Sequence, residues 1–327
     1  MELVTNQNPQ SMIQDIVEPT TISKSPFIEA NTEQVTLQHL KDDCIIPVFS
    51  KDNESTISHS QFIGKAFEAV QELFPQIEVR QPDIRVSHVV KGRIPSAIGK
   101  PAKELLESEK TIYYERCAFI IDLPGITRTI NGNALNLSVG GVRSLNQENL
   151  YSKKSLEKFK VFIGFKNLVC TNLCISTDGF SNEIRIGSID DLKEQMHTLF
   201  SSYNQEQHFE VMAGMESFRL TERQFAHFIG KLRMYHHMDK LEQKELFPIQ
   251  LNDGQINSVV KNYYTCSNFG RNQDGSINFW KLYNLLTEAN KSSYIDNNLE
   301  RNVSAFELVK NLGDSLKNNE PNWFLHN

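Results

Sequence analysis

The sequence of 327 residues contains no run of 18 or more apolar residues, which leaves it without a candidate membrane-spanning helix. Its first residues, Met1 to Gln14, are polar and lack the basic start and apolar core of a secretory signal. Cysteine is scarce, with Cys44, Cys117, Cys170, Cys174 and Cys266 at irregular spacing. An odd count without a signal fits reduced thiols and a cytoplasmic location rather than a disulfide framework. Cys170 and Cys174 have no second Cys or His pair at zinc spacing, and His236-His237 are remote in sequence. No metal site is expected. The chain has no Gly-Lys-Ser or Gly-Lys-Thr, no GxGxxG, no GxSxG and no HExxH. Phosphate loops, dinucleotide fingerprints, nucleophile elbows and zincin helices are thereby excluded as motifs, and no catalytic residue and no cofactor is expected. The first 40 residues contain no Gly, Tyr, Trp or Arg and carry Pro9, Pro19 and Pro26. They read as a mostly disordered arm.

What is present is the composition of a globular protein, 39% hydrophobic and 23% charged. Residues 1–55 hold nine acidic residues against three lysines, which equals the whole chain's net charge of −6. Residues 56–327 therefore balance to zero, and an acidic arm does not argue against a basic patch on the body.

Past the arm the periodicities change twice. A short strand around Cys44 to Phe49 docks the arm. Ser58 and Gln61 form a capping box ahead of Phe62, Ile63, Phe67, Val70 and Phe74 at helical spacing. Ile84 to Val90 and Tyr113 to Leu123 read as strands, the second closed by Pro124-Gly125. Asn131-Gly132 is a strong two-residue hairpin signal between Ile126–Ile130 and Ala134–Val139. In the return strand Leu135, Leu137 and Val139 share one face, and Asn136 and Ser138 the other. Phe159, Val161, Ile163 and Phe165 alternate with Lys160 and Lys166 in a later strand, so a one-sided antiparallel sheet is predicted. Gly140-Gly141 reads as a structural bend or bulge.

From Ser188 the period becomes helical. Helices are predicted after Ser188, after the Thr221 and Gln224 capping box, over 255–264, over 279–290 and from Ser304 to about Leu316. Strands followed by helices give an α+β class: a central antiparallel sheet with flanking helices and a helical C-terminal third. The predicted organisation is an acidic arm over 1–40, an α+β body over 41–205, and a helical region over 206–320 packed on the body or forming one domain with it.

Three clusters carry chemistry. The first is basic: Arg143, Lys153, Lys154, Lys158, Lys160 and Lys166, with Tyr151 and Phe162 among them and Lys91 and Arg93 in a second loop. Lysines on a strand face can follow a phosphate backbone while an aromatic ring stacks on a base. The same pattern also describes a solvated edge strand. The second is polar: Asn167, Thr171, Asn172, Asn284 and Glu288, which would line a cleft between sheet and helices if they converge. The third, Asn272-Gln-Asp274-Gly275, echoes a calcium loop, but Gly270 and Lys281 stand at the first and last ligand positions, where acids belong. A turn ahead of the Trp280 helix accounts for these residues better.

Several long blocks, in order, resemble a known family: Lys91-Gly-Arg-Ile-Pro95, Tyr113-Tyr-Glu-Arg116, Val139-Gly-Gly-Val-Arg143, Asn146-Gln-Glu-Asn-Leu-Tyr151, Phe162-Ile-Gly-Phe-Lys-Asn167, Val169-Cys-Thr-Asn172 and Phe279 to Lys291. Over roughly residues 40–320 the chain resembles the domain-of-unknown-function 3871 family of Bacteroidetes. It is more loosely similar to phage/plasmid-like proteins of unknown function, through Cys170-Thr-Asn172 and Leu282 to Glu288. The resemblance implies a bacterial, cytoplasmic, mobile-element context and no catalytic residues. With the basic cluster it leads to the expectation of a non-enzymatic protein associated with DNA or RNA, single strands as the working case, and not with membranes. Two alternatives stand beside it: an enzyme acting on a small or nucleotide-like substrate in the polar cleft, and a protein-interaction module using the acidic arm. Protein partners and oligomeric state stay open.

Overall fold

The computed structural model describes residues 25–46, 56–148 and 156–325. In chain order its strands are β1 (Glu33–Val35), β2 (Asp83–Val86), β3 (Val89–Arg93), β4 (Lys110–Tyr114), β5 (Arg116–Ile130), β6 (Asn133–Ser144), β7 (Glu157–Asn167), β8 (Leu173–Cys174), β9 (Phe180–Ile186), β10 (Arg219–Leu220) and β11 (Ile277–Asn278). Its helices are α1 (Leu37–Asp42), α2 (His59–Leu73), α3 (Ile189–Ser202), α4 (Gln205–Gly214), α5 (Glu222–Tyr235), α6 (Lys240–Lys244), α7 (Asp253–Thr265), α8 (Phe279–Asn290) and α9 (Ile295–Asn318). The class is α+β. The main sheet is antiparallel, with strand order β1-β2-β5-β6-β7-β8 and β9 pairing β7 as well.

The long central strands follow from the hairpin. Asn131 and Gly132 both take positive φ, 49° and 72°, the conformation that a two-residue turn between twisted strands requires. β5 and β6 then pair from Ile130↔Asn133 to Arg116↔Ser144. Pro124-Gly125 does not close the strand as predicted. The register shifts between Leu123 and Thr127, so the chain absorbs the proline in a bulge and continues. The predicted strand 84–90 is split into β2 and β3, and β3 pairs with β4 in a separate two-stranded arm.

The one-sided sheet is corrected to a sheet covered on both faces. On the first face Phe119, Ile121, Leu137, Val139, Phe159, Val161 and Ile163 pack with Phe62 and Ile63 of α2 and Leu192 and Met196 of α3. On the second face Ala118, Ile120, Val142 and Phe162 pack with Phe27, Ile28, Ile295 and Leu299. Of the arm predicted as mostly disordered over 1–40, residues 1–24 lie outside the described residues and residues 25–40 are folded: Phe27 and Ile28 are buried, β1 pairs β2, and α1 follows. The alternation seen in the sequence was real, but two short segments from opposite ends of the chain cover the face it left polar.

The capping boxes at Ser58/Gln61 and Thr221/Gln224 form as read. The last helix does not start at Ser304 but nine residues earlier, at Ile295. Its first turns bury the amides Asn298 and Asn302 alongside Ile295 and Leu299. Asn298 donates to Asn290 O at 2.8 Å and Asn302 donates to Asn298 Oδ1 at 3.1 Å, so half of the buried positions here are polar and the apolar period is weak.

Gly140 and Gly141 lie within regular β5–β6 pairing rather than at a bend. They are required by close approach. A Cβ on Gly141 would stand 2.5 Å from the Phe62 ring and 2.8 Å from Lys160 O, and one on Gly140 would stand 2.1 Å from Phe119 O. Phe62 fills the space above Gly141 and makes edge contacts with Phe119 and Phe159 at 5.0 and 4.7 Å. Gly141→Ala is therefore expected to destabilise the fold by about 2 kcal/mol or more, read as a lower urea midpoint. An unchanged midpoint would show that the sheet yields at this point.

Candidate functional site

Each residue of the basic cluster can now be placed. Tyr151, Lys153 and Lys154 lie outside the described residues. Arg143 is fully buried on the first face. Its guanidinium pairs with Glu148 at 3.2 Å and with Glu157, donates to Ile57 O, and sits over the Phe159 ring at 4.7 Å. Burial pushes the Glu157 carboxyl up, against the pull of Arg143. Phe162 is buried on the second face and offers no ring to a base. Lys166 pairs with Asp122, and Lys160 with Glu300 at 2.7 Å, each side chain only 13% exposed. Lys158 pairs with Glu183 at 3.2 Å. Arg93 donates to Lys100 O, while Lys91 on β3 is exposed. The expected phosphate track is thus broken among the described residues. Its strand lysines are charge-paired because α9, β9 and β5 bring Glu300, Glu183 and Asp122 beside them, which the sequence pattern of β7 alone does not encode.

The polar cluster does converge, though not as an open cleft. Asn167 Nδ2 donates to Asn284 Oδ1 at 3.0 Å, and Asn172 Nδ2 donates to Asn284 O at 2.9 Å. Asn167 and Asn284 are fully buried. The turn after β7 holds Thr171 at φ 61°, a left-handed conformation that costs a β-branched residue about 1–3 kcal/mol. It is fixed from three sides. Lys291 donates to Cys170 O, Asn284 receives Asn172, and the Thr171 hydroxyl lies 3.0 Å from Ser25 O. Glu288 pairs with Lys291 at 2.9 Å. These residues weld β7, α8 and the 25–28 segment. Burial raises the thiols here, Cys174 to about 12 and Cys170 further, so neither is a ready nucleophile.

A different place has the character of a site. Between the start of α9 and the β6-β7-β9 face lies a cleft of about 230 Å³ lined by Ser144, Gln147, Lys158, Lys160, Asn182, Glu183, Asp296, Asn297 and Glu300. A second cleft of about 300 Å³, lined among others by Thr32, His88, Arg116 and Tyr294, flanks the same first turn of α9. α9 has no side-chain cap at Tyr294. Ser144, the cross-strand partner of Arg116, is 5% exposed. Four buried atoms around this turn have no hydrogen-bond partner among the described residues: Ser144 Oγ, Asp296 Oδ1, Asn297 Oδ1 and Arg116 Nε. Such groups are rare in folded proteins, since each costs about 1–3 kcal/mol unless a partner is supplied. The lysines are already engaged: Lys160 with Glu300 and Asp296 O, Lys158 with Glu183. What remains without a hydrogen bond is three buried acceptor oxygens, one of them on the Asp296 carboxylate, whose other oxygen lies 3.7 Å from Arg116 Nε. Sequence reasoning missed Ser144, Asp296, Asn297 and Arg116 because nothing in their local spacing is unusual; they meet only through the β5–β6 register and the placement of α9. No group of three or more His, Cys, Asp or Glu side chains is placed to hold a metal ion among the described residues.

Against this geometry stand the comparisons with known proteins. A family model described as "Domain of unknown function, B. Theta Gene description (DUF3871)" matches residues 10–325. The chain belongs to this family. The match spans the sheet, the helical third and the α9 cleft alike, so these are parts of one family unit. No curated protein and no solved structure matches the chain. No helix among the described residues is long and apolar enough to cross a membrane.

Two predictions follow from the buried charges. Arg143→Met removes the counter-charge of Glu148 and Glu157 and is expected to cost about 3–5 kcal/mol of stability, measured by urea unfolding; a loss under 1 kcal/mol would show that the carboxylates re-solvate. Burial also lowers two histidines, His59 to about 4 and His208 to about 3, from an ordinary 6.5. Between pH 6.5 and 4 the unfolded chain therefore binds more protons than the folded one, so stability falls as pH drops through this window, by up to about 3 kcal/mol per histidine. Melting temperatures recorded from pH 7.5 to 4.5 should decline more steeply for the wild type than for His208→Gln. Parallel curves would remove His208 from the account.

Proposed function

We propose that this family member is a binding protein for a small polar ligand that carries hydrogen-bond donors, such as a primary amine, an amino acid or a hydroxylated molecule, held in the cleft at the start of α9. The observation that carries this reading is that Ser144 Oγ, Asp296 Oδ1 and Asn297 Oδ1, all without a hydrogen-bond partner among the described residues, belong to side chains that line one cleft. An amine or hydroxyl group satisfies these acceptors; Arg116, in the neighbouring cleft, is already paired with Glu115 at 2.8 Å and with Asp296 at 3.7 Å. The charge in the cleft, two lysines against three carboxylates, favours a neutral or zwitterionic occupant over a polyanion. Binding rather than catalysis is the reading because Ser144 has no hydrogen-bonded base. A nucleic-acid association, expected from the sequence, keeps as support the exposed Lys91 and residues outside those described; the pairing of Lys158, Lys160 and Lys166 does not favour it.

The test is a thermal-shift panel of amino acids, primary amines and monosaccharides at millimolar concentration. At least one class should raise the melting temperature. Asp296→Ala and Ser144→Ala should abolish that rise, while Glu307→Gln, remote from the cleft, should retain it. If no member of the panel shifts the wild type, or if the shift survives both cleft substitutions, the reading falls.

A further inference from the structure

The residues that echoed a calcium loop form more than a turn. α7, the segment 270–281 and α8 make a helix–loop–helix, and the loop has the features of a calcium-binding loop at most positions. Gly275, at the sixth position, has φ +79°. Ile277, at the eighth, sits in β11, which pairs with β10 through Leu220↔Ile277. Asn278, at the ninth, caps the exiting helix by accepting from Lys281 N at 2.8 Å. The partner helix α5 starts the same way after β10: Thr221 Oγ1 accepts from Gln224 N at 3.3 Å. Two short strands back to back, each running into a capped helix, are the arrangement by which paired calcium loops support one another.

The departure lies at the two ends of the loop. At the twelfth position, where a glutamate would grip the ion, Lys281 sends its ammonium into the loop. It donates to Asn272 Oδ1, the third-position ligand, at 2.7 Å and to Gly270 O, the first-position residue, at 3.2 Å. Gly270 leaves no room for the usual aspartate, since a Cβ there would lie 2.4 Å from Cys266 O. Asp274, at the fifth position, accepts from the Ser276 hydroxyl at 2.7 Å and its backbone N–H at 2.9 Å. Inside the loop one carboxylate, Asp274, faces one ammonium, Lys281, while Arg271 at the second position pairs outward with Glu222 at 3.1 Å.

We infer that Lys281 is a tethered cation that replaces the metal of a calcium-type loop, so that the β10–β11 helix pair holds its arrangement independently of any ion. This stands apart from the ligand-binding reading and uses none of its residues. A divalent cation is repelled by the ammonium and finds a single carboxylate within the loop, Asp274, since the neighbouring Glu222 is paired with Arg271. A covalently attached charge is never released, so the pair carries no calcium switch.

Three measurements of thermal unfolding decide the matter, each in EDTA and in 10 mM calcium. The wild type should melt at the same temperature in both. Lys281→Met, which keeps the stem and removes the charge, should lower the melting temperature by about 5 °C in both solutions alike. Lys281→Glu should be lower still in EDTA and recover several degrees in calcium, because the substitution restores the twelfth-position ligand and the metal then binds the folded state. A structural lysine without this role would give no metal rescue. The inference is overturned if calcium stabilises the wild type, if Lys281→Met melts like the wild type, or if Lys281→Glu melts alike in both solutions.

Discussion

Burial of both faces of the β5-β6-β7 sheet is the constraint on which the rest of this molecule depends. An antiparallel sheet can leave one face in water, and the alternation in β6 and β7 reads that way. Here the second face carries Ala118, Ile120, Val142 and Phe162, which must be covered. The cover comes from the start of α9 and from Phe27 and Ile28, residues that lie some 270 positions apart in sequence. Once α9 is laid on that face, its Asp296 and Glu300 meet Lys160, and its uncapped first turn walls the cleft with Ser144 and Arg116. The candidate site is a by-product of how the sheet is closed.

The buried polar groups then act as locks on this closure. Asn284 receives Asn167 and sends its carbonyl to Asn172, so α8 is fixed to the end of β7. Lys291, almost fully buried, joins Glu288, Cys170 O and Ser25 across three distant parts of the chain. Groups of this kind add little net stability compared with apolar packing, but a half-satisfied network is costly, which penalises alternative arrangements of α8 on the sheet. Arg143 does the same on the opposite face for the cap of α2, through Ile57 O, Glu148 and Glu157. Family blocks rich in Asn, Lys and Arg are therefore explained largely by joints between elements rather than by exposed chemistry.

Much of the local structure was legible because it is decided within a few residues. Ser58 with Gln61 and Thr221 with Gln224 closed their boxes, and Asn131-Gly132 turned the hairpin. Where reading failed, a distant partner had overruled a local signal. Pro124-Gly125 should end a strand, yet β6 continues to pair across the bulge and carries the strand through. The start of α9 shows only a weak apolar period because Asn298 and Asn302, hydrogen-bonded to Asn290 of α8, share its buried positions with Ile295 and Leu299. Of the candidate sites, Asn167, Asn172 and Asn284 could be named from the sequence, but neither their meeting nor their closure to solvent could be read there; the cleft at Ser144 and Asp296 carried no signal in sequence.

By itself the sequence determined the α+β class, the hairpin, the helix starts set by capping side chains and the membership of a family, because each rests on contacts between near neighbours or on long ordered blocks. Tertiary structure alone decided which charges are free. Lys160 and Lys166 alternate with apolar residues as exposed lysines do, and only the arrival of Glu300 and Asp122 from other elements neutralises them. Lys281 reads as a defect in a calcium loop until its ammonium is seen beside Asn272 Oδ1 and Gly270 O. The physical reason is common to both. A charge acts through what lies within a few ångströms of it, and in a folded chain those neighbours are set by topology, not by spacing along the sequence.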